Sequence, residues 1–140
     1  MNLRAPLLLI LLAGCAPLPP TPQDVQARRF ETLPGKAVIY LVRDNPDHNN
    51  VPATLTLGDS DMVTTYPGTY YRWEVDPGRH QIAGYGVDNG TITLQVDAGK
   101  IYVVQQRTTP WVTYAMSYFH PVAESQGRAV VMRSTLLGGR

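Results

Sequence analysis

Residues 69–84 read TYYRWEVDPGRHQIAG, and the first half of this stretch alternates strictly. Tyr71, Trp73 and Val75 share one parity while Tyr70, Arg72 and Glu74 share the other, the period of two expected of a half-buried strand. Asp76-Pro77-Gly78-Arg79 then reads as a turn, with Pro fixing φ at the second position and Gly supplying positive φ at the third. Such a turn twists against a tight hairpin, so the strand beginning at His80 is expected to follow a longer loop or a corner between two sheets. Trp73 is the largest apolar side chain on the inward parity and marks the expected centre of the core.

The same grammar recurs along the chain. Residues 36–43 (KAVIYLVR) are apolar on both parities, as in a central strand covered on both faces. Residues 44–50 (DNPDHNN) form a polar loop rich in side chains that bond their own backbone. Leu55 and Leu57 alternate with Thr54 and Thr56; a Gly58–Asp61 turn, a short strand over 62–66 and a Pro67-Gly68 turn follow. After the Asp88-Asn89-Gly90 turn, Ile92, Leu94 and Val96 face in. Asp97-Ala98-Gly99 then turns the chain into a largely apolar strand over 101–107. Residues 109–120 fit either a helical stripe or an aromatic-rich strand, and residues 128–133 read as a last strand. Strands about ten residues apart, punctuated by Gly, Pro, Asn and Asp, predict an all-β, antiparallel sandwich of the immunoglobulin or transthyretin kind with about 7–9 strands. No helical stretch is long enough for a βαβ unit, which argues against a parallel sheet.

The N-terminus is a sorting signal. Arg4 supplies a positive start, and the apolar run over 7–12 is far too short to span a bilayer. Leu12-Ala13-Gly14-Cys15 resembles the lipobox of bacterial lipoproteins, which implies that Cys15 is lipidated and becomes the first mature residue. Cys15 is the only cysteine, so the mature chain has no internal disulfide. The resemblance implies three acyl chains. At about 0.8 kcal/mol per buried methylene, one chain is a marginal anchor and three are close to permanent. Ala16 stands where an inner-membrane retention Asp would, so the expected location is the outer membrane, periplasm-facing, or the cell membrane in a Gram-positive host. The chain divides into a signal (1–14), a lipidated, proline-rich tether (15–34), a sandwich domain (35–135) and a loose tail (136–140). A short helical turn over 24–33, with Phe30 and Leu33 docking back, is compatible with the tether. Arg4 leaves with the signal, so the 12 basic residues fall to 11 against 11 acidic ones. That balance argues against nucleic acid as a partner.

Gly35-Lys36-Ala37-Val38-Ile39-Tyr40, Pro67-Gly68-Thr69-Tyr70, Pro77-Gly78-Arg79-His80 and Ala98-Gly99-Lys100-Ile101-Tyr102 occur in that order. Together they resemble the DUF2846-type bacterial lipoproteins, small β-sandwich envelope proteins of unassigned activity. The resemblance covers roughly residues 35–127 and implies no catalytic residues. The loop before Ala53 and the turn over 58–61 depart from the family pattern, lacking its inserted Gly after an Asp.

Gly58-Asp59-Ser60 has the letters of an esterase nucleophile block but lacks the later Asp-x-x-His, so a hairpin turn is the better reading. His48, His80 and His120 have no second ligand at metal spacing. His80 shares the inward parity of Ile82, as a core histidine bonded to a carbonyl or carboxylate does. Asp44, Asp47, Asn49 and Asn50 miss the EF-hand pattern, and Asp59 and Asp61 have no pocket to separate their pKa values. No cofactor or metal is expected. Trp111, Tyr114, Tyr118 and Phe119 fall within nine uncharged residues and form the candidate partner surface. As a strand they face both ways, so one set must be covered by the segment around Phe30 or by a partner. The expectation is a non-enzymatic, lipid-anchored binding or scaffolding module that meets an envelope-protein or cell-wall partner. The alternatives are an accessory lipoprotein of a secretion or surface-assembly machine, and a small hydrolase with an unrecognised site.

Overall fold

The computed structural model describes residues 18–109 and 113–138. Among them the order of elements is α1 (Pro22–Ala27), β1 (Ala37–Arg43), β2 (Ala53–Leu57), β3 (Asp61–Thr65), β4 (Thr69–Val75), β5 (Gly78–Gly84), β6 (Thr91–Val96), β7 (Ile101–Thr108), β8 (Ser117–Val122), α2 (Glu124–Val131) and β9 (Thr135–Leu136). The strands form two sheets, β8-β7-β1-β4-β9 and β3-β2-β5-β6, a β-sandwich as the turn spacing predicts. The corner expected at Asp76-Pro77-Gly78 is present: β4 lies in one sheet and β5 in the other.

Two cores follow from strict alternation. Ala37, Ile39 and Leu41 of β1 meet Leu55, Leu57, Trp73, Ile82, Leu94, Val96 and Val104 between the sheets. The opposite parity of β1, Val38, Tyr40 and Val42, packs outward against Ala27, Phe30, Tyr70, Val103, Val130 and Val131. β1 is thus buried along its whole length, as an apolar strand with no polar parity must be. Tyr70, expected on the outward side of β4, is fully buried beneath the helices. The outer face of that sheet is a second core and not a solvent face.

Four expectations need correction. Residues 128–133 belong to α2 and its C-terminal turn, because Gly127, Val130, Val131 and Ser134 are the buried positions and recur at i, i+3, i+4 and i+7. Residue 136 is not in a loose tail: Tyr70 pairs with Leu136, and Leu137 N–H donates to Tyr70 O. The tether ends before residue 34. Thr21 caps α1, Phe30 stacks on Tyr40 with centroids 4.1 Å apart, and Arg128 lies 4.4 Å above the Phe30 ring. The docking of Phe30 and Leu33 is as expected, and the aromatic rings Phe30 covers are Tyr40 and Tyr70. Lastly, pairing is mixed: β1 runs parallel to β7 and β4 to β9, while the other ladders are antiparallel. After β6 the chain turns at Asp97–Lys100 and re-enters the first sheet beside β1, running the same way. Val38 N–H donates to Lys100 O and Gly99 N–H to Lys36 O across that junction. The parallel pair is therefore made by crossing between sheets, with no βαβ unit.

Candidate functional site

At the end of the sandwich where β1 finishes, the polar residues are turned inward. Arg43 continues the inward parity of Ile39 and Leu41 and is fully buried. Its guanidinium donates five bonds: to Asp47 Oδ2 (2.7 Å), the carbonyls of Val51 (3.0 Å), Thr65 (3.2 Å) and Asn49 (2.7 Å), and Thr108 Oγ1 (3.2 Å). Five donors thus meet five acceptors, the condition for a buried guanidinium. Asp47, read from sequence as part of a solvated loop, has its carboxylate buried as the counter-ion and also accepts from the N–H groups of His48 and Thr108.

A second network adjoins the first. Ser117 Oγ donates to Asp88 Oδ2 at 2.6 Å and accepts from Gln106 Nε2 at 2.9 Å, while Thr65 Oγ1 donates to Gln106 Oε1 at 2.7 Å. Asp88 also accepts from the backbone N–H groups of Ser117 and Gly90. The loop lies so close to β8 that a Cβ on Gly90 would sit 2.0 Å from Ser117 O. These bonds fix the loops after β1, β5 and β7 to one another. Arg43, Asp88, Gln106 and Ser117 were not singled out from sequence. Parity alone was the available signal, since Gln106 alternates inward with Tyr102 and Val104.

On the outside of this end the side chains are apolar and uncovered. Tyr85 is 61 % exposed, Val87 67 % and Tyr114 45 %. With Val51, Pro52 and Ala115 they border a shallow cavity of about 260 Å³. Of the four aromatics expected to act together, the three among the described residues are separated. Phe119 packs into the inter-sheet core, Tyr118 is 57 % exposed on the opposite side of β8, and Tyr114 sits on the preceding loop. Trp111, like Cys15, lies outside the described residues. The expectation that aromatics face both ways along this segment therefore holds for Tyr118 and Phe119, but Phe30 covers neither.

At the opposite end β2 stops short of β5 and leaves a notch of about 560 Å³ over Trp73, bordered by Asp59, Ser60, Asp61, Arg79, His80 and Gln81. His80 is half-buried, stands edge-on to Trp73 at 5.5 Å, and its Nε2 lies 2.7 Å from Asp76 O. This is the carbonyl-bonded inward histidine that alternation predicts. Among the described residues no hydrogen bond joins Ser60, His80 and either Asp, and a nucleophile needs its base within about 2.6–3.2 Å. No group of three or more His, Cys, Asp or Glu is placed to hold a metal among the described residues, and no described helix is long and apolar enough to cross a membrane.

Comparison with family models finds no match, and comparison with curated proteins finds none either.

Proposed function

We propose that this chain is a lipid-anchored envelope protein whose sandwich is a non-enzymatic binding or scaffolding module. Acyl chains on Cys15 hold it at the periplasmic side of the outer membrane, as the resemblance to DUF2846-type lipoproteins implies. One observation carries the binding role: the loop end presents Tyr85, Val87 and Tyr114 to solvent while the polar groups beneath them bond one another. A catalytic end would keep a nucleophile, base or acid free to meet substrate. Here Ser117, Asp88, Gln106, Arg43 and Asp47 are committed to fixing loops, and what remains outside is a rigid, amphipathic aromatic rim of the kind interfaces favour. The partner is an envelope protein or a cell-wall component, and an accessory role in a surface-assembly machine is the form this takes if the partner belongs to one.

A photo-crosslinking residue placed at Tyr85 or Tyr114, in the anchored protein within its own envelope, tests the assignment. The expected result is one discrete adduct from both positions and none from Arg79 at the opposite end. Adducts only from Arg79, or hydrolysis by the purified domain that disappears in Ser60→Ala, would contradict it. The second outcome would favour the hydrolase reading at the notch.

A further inference from the structure

The anchor reading leaves open which side of the domain meets the membrane, and the point where the chain enters the fold answers it. Leu18–Thr21 run into a groove of about 880 Å³ whose other wall is Thr135–Gly138, with Asp24 and Arg28 between them. This places Leu18, Leu136 and Leu137 together along the β9 edge; Leu18 is 93 % exposed and the other two partly so.

The entry is rigid. Thr21 Oγ1 accepts from Asp24 N–H at the start of α1. Arg28 donates to the carbonyls of Val131, Met132 and Ser134, and the hydroxyl of Tyr40 donates to Ala27 O at 2.6 Å. Tyr70 OH donates to Asp24 Oδ1 at 2.5 Å. The N-terminal segment therefore cannot swing away from this edge without breaking buried bonds.

Length decides the rest. Cys15 precedes Leu18 by three residue steps, and a fully extended chain covers at most about 3.3–3.6 Å per step, so about 10 Å separate them at most. The headgroup zone of one leaflet is itself about 5–8 Å deep. Acyl chains on Cys15 thus hold Leu18 within the headgroup zone or a few Å outside it, and the partly exposed Leu136 and Leu137 beside it follow. We infer that the β9 edge, with Leu18, Leu136 and Leu137, is a membrane-contact surface for the bilayer that holds the Cys15 acyl chains. The inference rests on the anchor reading above. Across the five-stranded sheet, four spacings of about 4.8 Å put the β8 edge roughly 19 Å away, so Tyr118, and Tyr114 on the loop before β8, lie on the side farther from the β9 edge.

The lone thiol allows a direct test. The mature chain from Cys15 onward is coupled through that thiol to vesicles of phosphatidylethanolamine and phosphatidylglycerol containing a maleimide phospholipid. Benzophenone side chains are placed singly at Leu137, at the exposed Gln23 of α1, which borders a neighbouring cavity sharing the Leu136–Gly138 wall, and at Tyr118. The expected result is lipid adducts several-fold more abundant from Leu137 and Gln23 than from Tyr118. Gln23 keeps the test decisive if the Leu137 variant folds poorly. Equal adducts from all three positions, or more from Tyr118, would overturn the orientation alone. An unacylated native protein would overturn the anchor reading and this orientation with it, whatever the vesicles show.

Discussion

Single residues decide most of the stability at the loop end. Arg43 is the clearest case, because removing a buried guanidinium with every donor matched takes a partner from five acceptors, one of them the Asp47 carboxylate. Arg43→Ala is expected to cost about 3–5 kcal/mol, the range for breaking a buried pair by deleting one partner. Arg43→Lys, with three donors on a compact head, is expected to recover only part of that. Denaturant midpoints of the soluble domain check both, and a loss below about 1 kcal/mol for Arg43→Ala would mean that water reaches Asp47. Tyr70 makes a pH prediction. Burial, reinforced by the Asp24 carboxylate it donates to, pushes its hydroxyl well above the ordinary tyrosine range. A raised folded-state value means that the unfolded chain loses the proton first. The stabilisation is therefore complete below about pH 10, the unfolded value, and declines as pH rises from there towards the folded value. Tyr70→Phe should lower stability at pH 7 but flatten the decline above about pH 10. An unchanged alkaline slope in urea titrations would show that Tyr70 is not the group responsible.

At the scale of elements, α2 is held by a close approach rather than by helix propensity. A Cβ on Gly127 would lie 2.5 Å from Val103 Cγ1 and 2.7 Å from Cγ2. Gly127→Ala gains about 1 kcal/mol of helix propensity but overpacks a buried contact, which costs about 1–3 kcal/mol. The second effect wins, so the variant should unfold at lower denaturant, and Gly127→Ala combined with Val103→Ala should recover part of the loss. A more stable single variant would mean that α2 rides free of β7. This helix also shows where sequence was hard to read. Ala129-Val130-Val131-Met132 is apolar throughout and fits period two or period 3.6 equally. Only the wider spacing from Gly127 to Ser134 separates them. β1 was legible because its apolar residues run unbroken, and the corner after Asp76 because Pro and Gly fix its geometry. The parallel pairing of β1 with β7 was not, since no local pattern records which strand lies alongside. The aromatic density near Tyr114 was visible, as was the opposed parity of Tyr118 and Phe119. Tyr85 and Val87, which complete the exposed rim, lie in a loop where periodicity carries no signal.

For the whole molecule the arrangement is directional: the chain enters beside β9, two cores stiffen the sandwich, and Tyr114 lies next to β8, the opposite edge of the same sheet. That directionality has functional meaning only if Cys15 carries lipid, so the N-terminal peptide of the protein taken from its own membranes is the measurement to make. Its intact mass is expected to begin at Cys15 and to include acyl chains, and Cys15→Ser is expected to abolish both the acylation and the membrane association. A mature peptide beginning at any other residue, or at an unacylated Cys15, would contradict the reading of this chain as a lipid-anchored binding module.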